Sequence, residues 1–101
     1  MTLAGADAPG TTTVRLEGDI DVTNANEIAE RICAVLEGRH AEVVVECSAV
    51  TFVESRGLAM MARVQRSAED AGLRLAWRGF SLSVLRTLHT SGLDTYLDIE
   101  P

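Results

Sequence analysis

Alternating apolar and polar positions predict several half-buried strands in this chain. At residues 12–17, Val14 and Leu16 lie on one side and Thr13 and Arg15 on the other, the period-two pattern of a strand with one buried face. Strands buried on both faces are continuous apolar runs, so the alternation favours an α/β fold with a mixed four- to five-stranded sheet and helices on one face. The predicted strands span residues 12–17, 20–22, 41–47 and 73–78, with a hairpin turn at 18–19 and a candidate edge strand at 93–99.

Apolar residues at helical spacing predict three helices, each followed by a glycine. The first helix begins at Asn24, where Asn24 and Glu27 form a candidate capping box, and it ends before Gly38. Gly72 and Gly92 follow the other two helices, and glycine is the commonest residue at that position. The predicted helices span residues 24–37, 55–71 and 81–91.

Length and charge narrow the class of protein. The 101 residues suffice for one hydrophobic core, so we expect a single domain over residues 11–101 after a flexible tail at 1–10. The net charge of −6 argues against a nucleic-acid partner, because nucleic-acid-binding proteins usually carry basic patches. The tail has no apolar run and no basic flank, so we expect no direct membrane insertion and a cytoplasmic location.

The residue types that bind metals are scattered along the chain. Cys33 and Cys47 lack the close spacing of metal ligands, and His40 and His89 are distant from them and from each other. The sequence also has no glycine-rich phosphate loop. We therefore expect neither a metal nor a cofactor.

Ser55 is the strongest candidate for chemistry because it stands where a strand runs into a helix. The first turn of a helix has unpaired backbone N–H groups and the positive end of the dipole, which both favour a phosphate. Ser55 is either phosphorylated or caps its own helix. Its neighbours Glu54 and Arg56 supply no histidine base, and Val53 stands where the first glycine of a Gly-x-Ser-x-Gly motif would be. The sequence therefore does not favour an enzyme.

Arg56 is unusual because a cation in the first turn of a helix opposes the helix dipole, at a cost of about 0.3 to 1 kcal/mol. Two hypotheses account for it. Arg56 is either exposed and loosely paired with Glu54, or it binds an anion or an acidic partner.

Five segments of the chain carry a family resemblance: Glu-Gly-Asp-Ile-Asp at 17–21, Cys-Ser-Ala-Val-Thr-Phe at 47–52, Ser55, Gly-Leu at 57–58 and Ser-Gly-Leu at 91–93. Over nearly its whole length the chain resembles a STAS domain, the family of anti-sigma factor antagonists that also supplies cytosolic domains to sulfate transporters. Members usually carry Asp-Ser-Ser-Gly or Asp-Ser-Thr-Gly at the junction, and the serine after the aspartate accepts phosphate. Ser55 holds that position, whereas Glu54 and Arg56 depart from the pattern.

The resemblance implies a partner-switching protein. Its unmodified form would bind an anti-sigma factor with serine kinase activity, and phosphorylation of Ser55 would release it. A phosphatase is left open as a further partner, and alone the protein is expected to be a monomer or weak dimer. The implied partner-binding residues are Asp19, Asp21, Asn24, Glu54, Ser55, Arg56, Gly57 and Leu58.

Three alternatives to this function remain open. A non-phosphorylated STAS scaffold subunit of a signalling assembly is favoured if Arg56 blocks access by a kinase. A cytosolic STAS accessory subunit of a membrane transporter is favoured if the protein co-purifies with an ATPase or a permease. An enzyme is least favoured, because the sequence offers no base, metal cluster or cofactor loop.

Overall fold

The computed structural model describes residues 2–8, 10–38 and 42–101, which form one sheet, three α-helices and a short 3-10 helix. His40 and the predicted strand start at residue 41 lie outside the described residues, as do residues 1 and 9 of the predicted tail. In chain order the elements are β1 (Thr2–Ala8), β2 (Thr11–Ile20), α1 (Ala25–Leu36), β3 (Glu42–Val53), α2 (Ser55–Asp70), β4 (Arg74–Arg78), α3 (Leu82–Ser91) and the 3-10 helix Leu93–Thr95.

The sheet combines parallel and antiparallel pairing in the spatial order β1-β2-β3-β4. Strands β2, β3 and β4 are parallel, and β1 adds to the edge of β2 in the antiparallel direction. An α/β fold with helices packed on a mixed sheet is therefore confirmed. The sheet has four strands, but only three of the five predicted strands exist as separate strands.

The fourth strand, β1, lies within the segment that we expected to be a flexible tail. It pairs with β2 through irregular register, with shifts between Leu3 and Ala6 and between Ala6 and Ala8. The sequence of this segment does not alternate between apolar and polar residues, so periodicity could not reveal it. Pairing at a sheet edge requires only backbone N–H and C=O groups, which every non-proline residue supplies.

The predicted hairpin at 18–19 is wrong, because β2 continues without a turn to Ile20 and stays paired with β3. Gly18 has a φ of +73°, a conformation that glycine adopts at little cost. The partner of Gly18 is Val50, whereas the partner of the next residue, Asp19, is Phe52. Gly18 therefore lies at a β-bulge in a continuous strand, where Thr51 is the extra residue of β3.

Strand β3 contains a second irregularity, which ends its simple alternation. The register of the β2–β3 pair changes after Arg15: Arg15 lies opposite Glu46, but Glu17, two residues later, lies opposite Ala49, three residues later. The buried positions in β3 follow a spacing of two up to Cys47 and a spacing of three from there to Val50 and Val53. Each extra residue reverses the side to which later side chains point, so the alternation in the sequence ends at Cys47. The strand predicted from that alternation therefore also ended at residue 47.

One hydrophobic core lies between the sheet and the helices. Val43, Val45 and Trp77 point into it and are fully buried, as the alternation predicted. All three helices contribute to the same core. The helical side chains include Ile28 and Ile32 of α1, Met61 and Val64 of α2, and Val84 and Leu88 of α3.

The other face of β3 and β4 carries cross-strand pairs of opposite charge. Glu42 forms an ion pair with Arg74, which lies opposite it. Glu46 lies opposite Arg78, with 3.4 Å between Glu46 Oε2 and Arg78 Nε. The small pair of Val44 and Ala76 lies between them and is buried. None of the helices in the described part of the chain has the length and apolar content needed to cross a membrane.

Candidate functional site

Strands β2 and β3 end side by side, and the chain enters α2 at that point. The Glu54 N–H donates to the carbonyl oxygen of Ile20 at 3.0 Å, which joins the two strand ends. Ser55 is the first residue of α2 and is exposed. The predicted junction between strand and helix is therefore present, and it lies at the carboxyl edge of the parallel sheet, where ligands commonly bind in open α/β folds.

The Ser55 hydroxyl does not cap its helix. Glu54 occupies the N-cap position in an extended conformation, and no side chain accepts a hydrogen bond from the backbone there. Among the residues that the structure describes, none forms a hydrogen bond with the Ser55 side chain. The capping interpretation of Ser55 is therefore wrong, and within residues 2–8, 10–38 and 42–101 neither its hydroxyl nor the first backbone N–H groups of α2 have a side-chain partner.

Gly57 allows α2 to approach the sheet closely. A Cβ atom at this position would lie 2.7 Å from Val53 Cγ1, 2.8 Å from Ile20 Cγ2 and 3.0 Å from the Ile20 carbonyl oxygen. Atoms do not approach so closely without displacement, so only glycine fits. Gly57 is buried and Leu58 packs against the core, which means that these two predicted partner-binding residues position the site.

The loop from Asp19 to Asn24 is held beside Ser55 by its own polar side chains. The Asn24 Nδ2 group donates to the Asp19 carbonyl oxygen at 2.8 Å, and Asn24 Oδ1 accepts from the Asp21 N–H at 2.9 Å. Thr51 Oγ1 donates to Asp19 Oδ1 at 2.6 Å, which links the loop to β3. The structure thus brings Asp19, Asp21 and Asn24 together at the ends of β2 and β3.

The predicted capping box of Asn24 and Glu27 does not form, because the Asn24 side chain is engaged in this loop. The Asp21 carbonyl oxygen instead accepts from the Ala25 N–H at 2.9 Å at the start of α1. Glu27 lies 3.6 Å from Arg31, one helical turn further on. The predicted helix start at Asn24 is within one residue of the observed start at Ala25, but the capping box on which that prediction rested is absent.

Hydrogen bonds to the Asp21 carboxylate lower its pKa. The Thr23 hydroxyl donates to Asp21 Oδ1, and the Thr23 N–H donates to the same oxygen at 2.9 Å. These two bonds, the side-chain bond above all, lower the pKa of Asp21 below its usual value. Their contribution to stability is present above the unfolded-state pKa and is lost as pH falls through the lower folded-state pKa.

Arg56 has no ion pair with any residue that the structure describes, Glu54 included. The hypothesis of a loose Arg56–Glu54 pair is therefore wrong. The first turn of α2 contains no acidic side chain, so the cation opposes the helix dipole without local compensation.

Two exposed apolar residues near the ends of β2 and β3 were not predicted. Val22 in the loop has 60% of its surface exposed, and Phe52 at the end of β3 has 55% exposed. Val22 is a single apolar residue among polar ones, a sequence signal that was available. The exposure of Phe52 depends on the bulge at Thr51, which no sequence pattern revealed.

Comparison with a protein-family model covers nearly the whole chain. The family described as "Mlab, STAS domain" matches residues 4–100. The chain therefore belongs to the STAS domain family.

Solved structures share this fold. An anti-sigma factor antagonist from Mycobacterium paratuberculosis has a TM-score of 0.81 at 26% identity, covering 99% of this chain and 85% of its own. The anti-sigma factor antagonist SpoIIAA in its unphosphorylated form has a TM-score of 0.79 at 20% identity, covering 99% and 87%. A sulfate transporter family protein from Wolinella succinogenes has a TM-score of 0.76 at 18% identity, covering 91% and 77%. The last two likenesses concern the fold alone.

Proposed function

We propose that this protein is an anti-sigma factor antagonist that acts by partner switching. Its unmodified form binds an anti-sigma factor with serine kinase activity, and phosphorylation of Ser55 releases that partner. The observation that carries the proposal is the exposed Ser55 hydroxyl, which has no hydrogen bond to a described residue and lies in the first turn of α2. A kinase can reach such a hydroxyl without first breaking a contact within the protein.

The surface around Ser55 has the composition of a docking site. Exposed Val22 and Phe52 offer apolar area near the ends of β2 and β3, where the polar groups of residues 19–24 also lie. Mixed apolar and polar surfaces are typical of protein interfaces. The proposed partner-binding residues are Asp19, Asp21, Asn24, Glu54, Ser55 and Arg56, which the resemblance implies, together with Val22 and Phe52. Gly57 and Leu58, also implied by the resemblance, would act by positioning the start of α2.

A phosphate on Ser55 would act at the interface rather than on the fold. It adds about 1.5 to 2 negative charges and three acceptor oxygens, which disrupt an interface formed around a neutral hydroxyl. The same group is favoured at a helix N-terminus by about 0.3 to 1 kcal/mol, so the free protein should stay folded. In this proposal the kinase holds ATP, a phosphatase restores the hydroxyl, and the antagonist itself is not an enzyme.

The relatives support this proposal. The relative with 26% identity is an anti-sigma factor antagonist, and SpoIIAA has been solved in a phosphorylated form as well as an unphosphorylated one. The acidic net charge of −6 supports a protein partner over nucleic acid. We expect the protein alone to be a monomer or weak dimer in the cytoplasm.

The test compares two serines in the first turns of two helices. The native complex is purified from the source cells, its partner is identified by mass spectrometry, and affinity is then measured for Ser55→Glu and Ser83→Glu. Ser83 is exposed near the start of α3, so Ser83→Glu is a matched control. We expect Ser55→Glu to weaken the complex about tenfold or more, as charge at an interface centre does, and Ser83→Glu to leave it unchanged.

Phosphate mapping after incubation with the partner and ATP completes the test. Phosphate at a different serine would overturn the assignment of Ser55. A stable complex without any phosphorylation would favour the scaffold subunit. Co-purification with a permease or transport ATPase would favour the second candidate, an accessory subunit of a transporter, which the likeness to a sulfate transporter family protein supports.

A further inference from the structure

Three arginines of α2 have no ion pair with any described residue: Arg56, Arg63 and Arg66. We call these three residues the arginine face. The ion-paired arginines of the described chain are instead Arg15, Arg31, Arg74 and Arg78.

The three side chains leave the helix in similar directions. At 100° per residue, Arg56, Arg63 and Arg66 lie within a sector of about 80° around the axis, and Arg56 and Arg63 are about 10 Å apart along it. Arg56 and Arg63 also line one groove of about 150 Å³ between the start of α1 and α2. Exposed Val22 and Asn26 form its other wall, and Ala59 lies between the two arginines.

The position of these charges does not help α2 to form. The helix has no acidic residue in its first turn and no basic residue in its last turn, where Glu69 and Asp70 stand. A helix dipole favours the opposite order. The arginine face therefore does not complement the dipole of its own helix and makes no ion pair with the described part of the fold.

We infer that the arginine face is a docking surface for an acidic segment of a protein partner. Two cations about 10 Å apart, with a groove and the apolar side chain of Val22 beside them, suit carboxylates that flank an apolar side chain. An extended polyanion is disfavoured, because the chain as a whole carries a net charge of −6 and would repel a membrane surface or nucleic acid outside this face.

This inference deepens the proposed function, on which it rests for the identity of the surface. Ser55 immediately precedes Arg56 in the first turn of α2. A phosphate on Ser55 would introduce a dianion next to the arginine face and would compete with the partner's carboxylates for Arg56. Release on phosphorylation would then follow from intramolecular charge competition as well as from the desolvation cost.

The experiment uses the short peptide acetyl-Glu-Glu-Leu-Glu-Glu-amide as the acidic probe, because it places an apolar side chain between carboxylates, and the unphosphorylated full chain at low salt. Arginine Nε–H resonances are followed by NMR during the titration. We expect saturable shifts at Arg56, Arg63 and Arg66, and an affinity about tenfold weaker for Arg63→Glu. Arg86→Glu is the matched control, because Arg86 is exposed on α3, has no ion pair with a described residue and gives the same change in net charge.

Equal losses of affinity for Arg63→Glu and Arg86→Glu would overturn the inference, since the probe would then respond to net charge alone. Tighter binding of phosphatidylglycerol vesicles or of a DNA oligonucleotide than of the Glu-Glu-Leu-Glu-Glu peptide would also overturn it. Circular dichroism checks that both variants fold, and Arg63→Gln repeats the test without a new negative charge. No kinase is present in this titration, so specific probe binding survives a failure of Ser55 phosphorylation and the two proposals can fail separately.

Discussion

Arg74 and Arg56 lie at opposite ends of the parallel strands, and they differ in their ion pairing. Arg74 begins β4 at the amino edge, where it pairs with Glu42, with Asp98 at 3.2 Å and with Glu100 at 4.0 Å. The hydrogen bond to Asp98 raises the pKa of the Arg74 guanidinium. Arg56 follows the carboxyl edge and pairs with no described residue. The arginine at the amino ends of the strands is therefore ion-paired within the described chain, and the arginine at the carboxyl ends is not.

Next to the Arg74 ion pairs, hydrogen bonds join residues 98–100 to β4 and β4 to α2. The Trp77 N–H donates to the Asp98 carbonyl at 2.8 Å, the Glu100 N–H donates to the Trp77 carbonyl at 2.8 Å, and Ile99 forms an isolated parallel bridge with Trp77. Buried Gln65 accepts from Trp77 Nε1 at 2.8 Å. The predicted edge strand at 93–99 is reduced to this bridge after a 3-10 turn.

The comparison indicates a division of roles between the two regions. Hydrogen bonds and ion pairs join residues 98–100 to β4 and α2, whereas the start of α2 is held against the strand ends by close apolar packing at Gly57 and by one backbone hydrogen bond, from Glu54 to Ile20. Polar groups that are not used for folding remain available to a partner at the carboxyl edge. Substitutions in each region can test this division.

The largest expected effect is at Gly57, where packing is tightest. Gly57→Val should lower the free energy of unfolding by about 3 kcal/mol, because the new side chain would overlap Val53 and the Ile20 backbone. Urea denaturation measures the loss. Ser55→Ala, two residues earlier and exposed, should change stability by no more than about 0.5 kcal/mol. Equal stability of the two variants would mean that α2 can move away from the sheet at little cost.

A smaller effect is expected at Gln65, which supports the paired region. Gln65→Leu should cost about 1 to 2 kcal/mol, because the buried Trp77 indole N–H would lose its acceptor. The control is Arg66→Leu, an exposed neighbour without an ion pair to a described residue. Thermal unfolding of both variants gives the difference, and tryptophan fluorescence reports the environment of the indole. A cost at Gln65 no greater than at Arg66 would show that the indole is satisfied in another way.

Side-chain periodicity was sufficient to predict much of this fold. The helices and three strands were found because each buries one regular face, as Val43, Val45 and Trp77 do. The strand β1 and the continuation of β2 past Gly18 were missed because they depend on backbone pairing and bulges. Neither leaves a regular pattern in the side chains.

The residues of the site were predictable in large part, but the contacts between its distant segments were not. Ser55 and its neighbours were identified by family resemblance, and the structure places Asp19, Asp21 and Asn24 beside them. The bond from Thr51 to Asp19 joins residues 32 positions apart, which sequence alone could not pair. The arginine face was also missed, because the lack of ion partners becomes visible only once every neighbour has been placed.

The smallest expected effect concerns Arg56, and it separates folding from binding. Arg56→Ser restores the small hydroxyl residue typical of the family and removes a cation from the first turn of α2. The free energy of unfolding should rise by about 0.3 to 1 kcal/mol at low salt. If Arg56 contacts an acidic partner, the same substitution should weaken the native complex by about 1 kcal/mol or more. Gain in stability and loss of affinity in one variant would be the signature of a charge retained for binding.

Arg66→Ser provides the control for the stability measurement, because Arg66 lies in the fourth turn of the same helix, also without an ion pair to a described residue. The unfavourable dipole effect on a cation acts mainly within the first turn, so Arg66→Ser should give no gain, and the lower helix propensity of serine should make it slightly destabilising. High salt should remove the difference between the two variants, since it screens exposed charges. Equal gains that persist in high salt would contradict the dipole explanation, because serine has a lower helix propensity than arginine and screened charges would leave no other source of the gain. An unchanged complex would then leave Arg56 as a surface residue without a role in docking, and the contrast with Arg74 would concern folding alone.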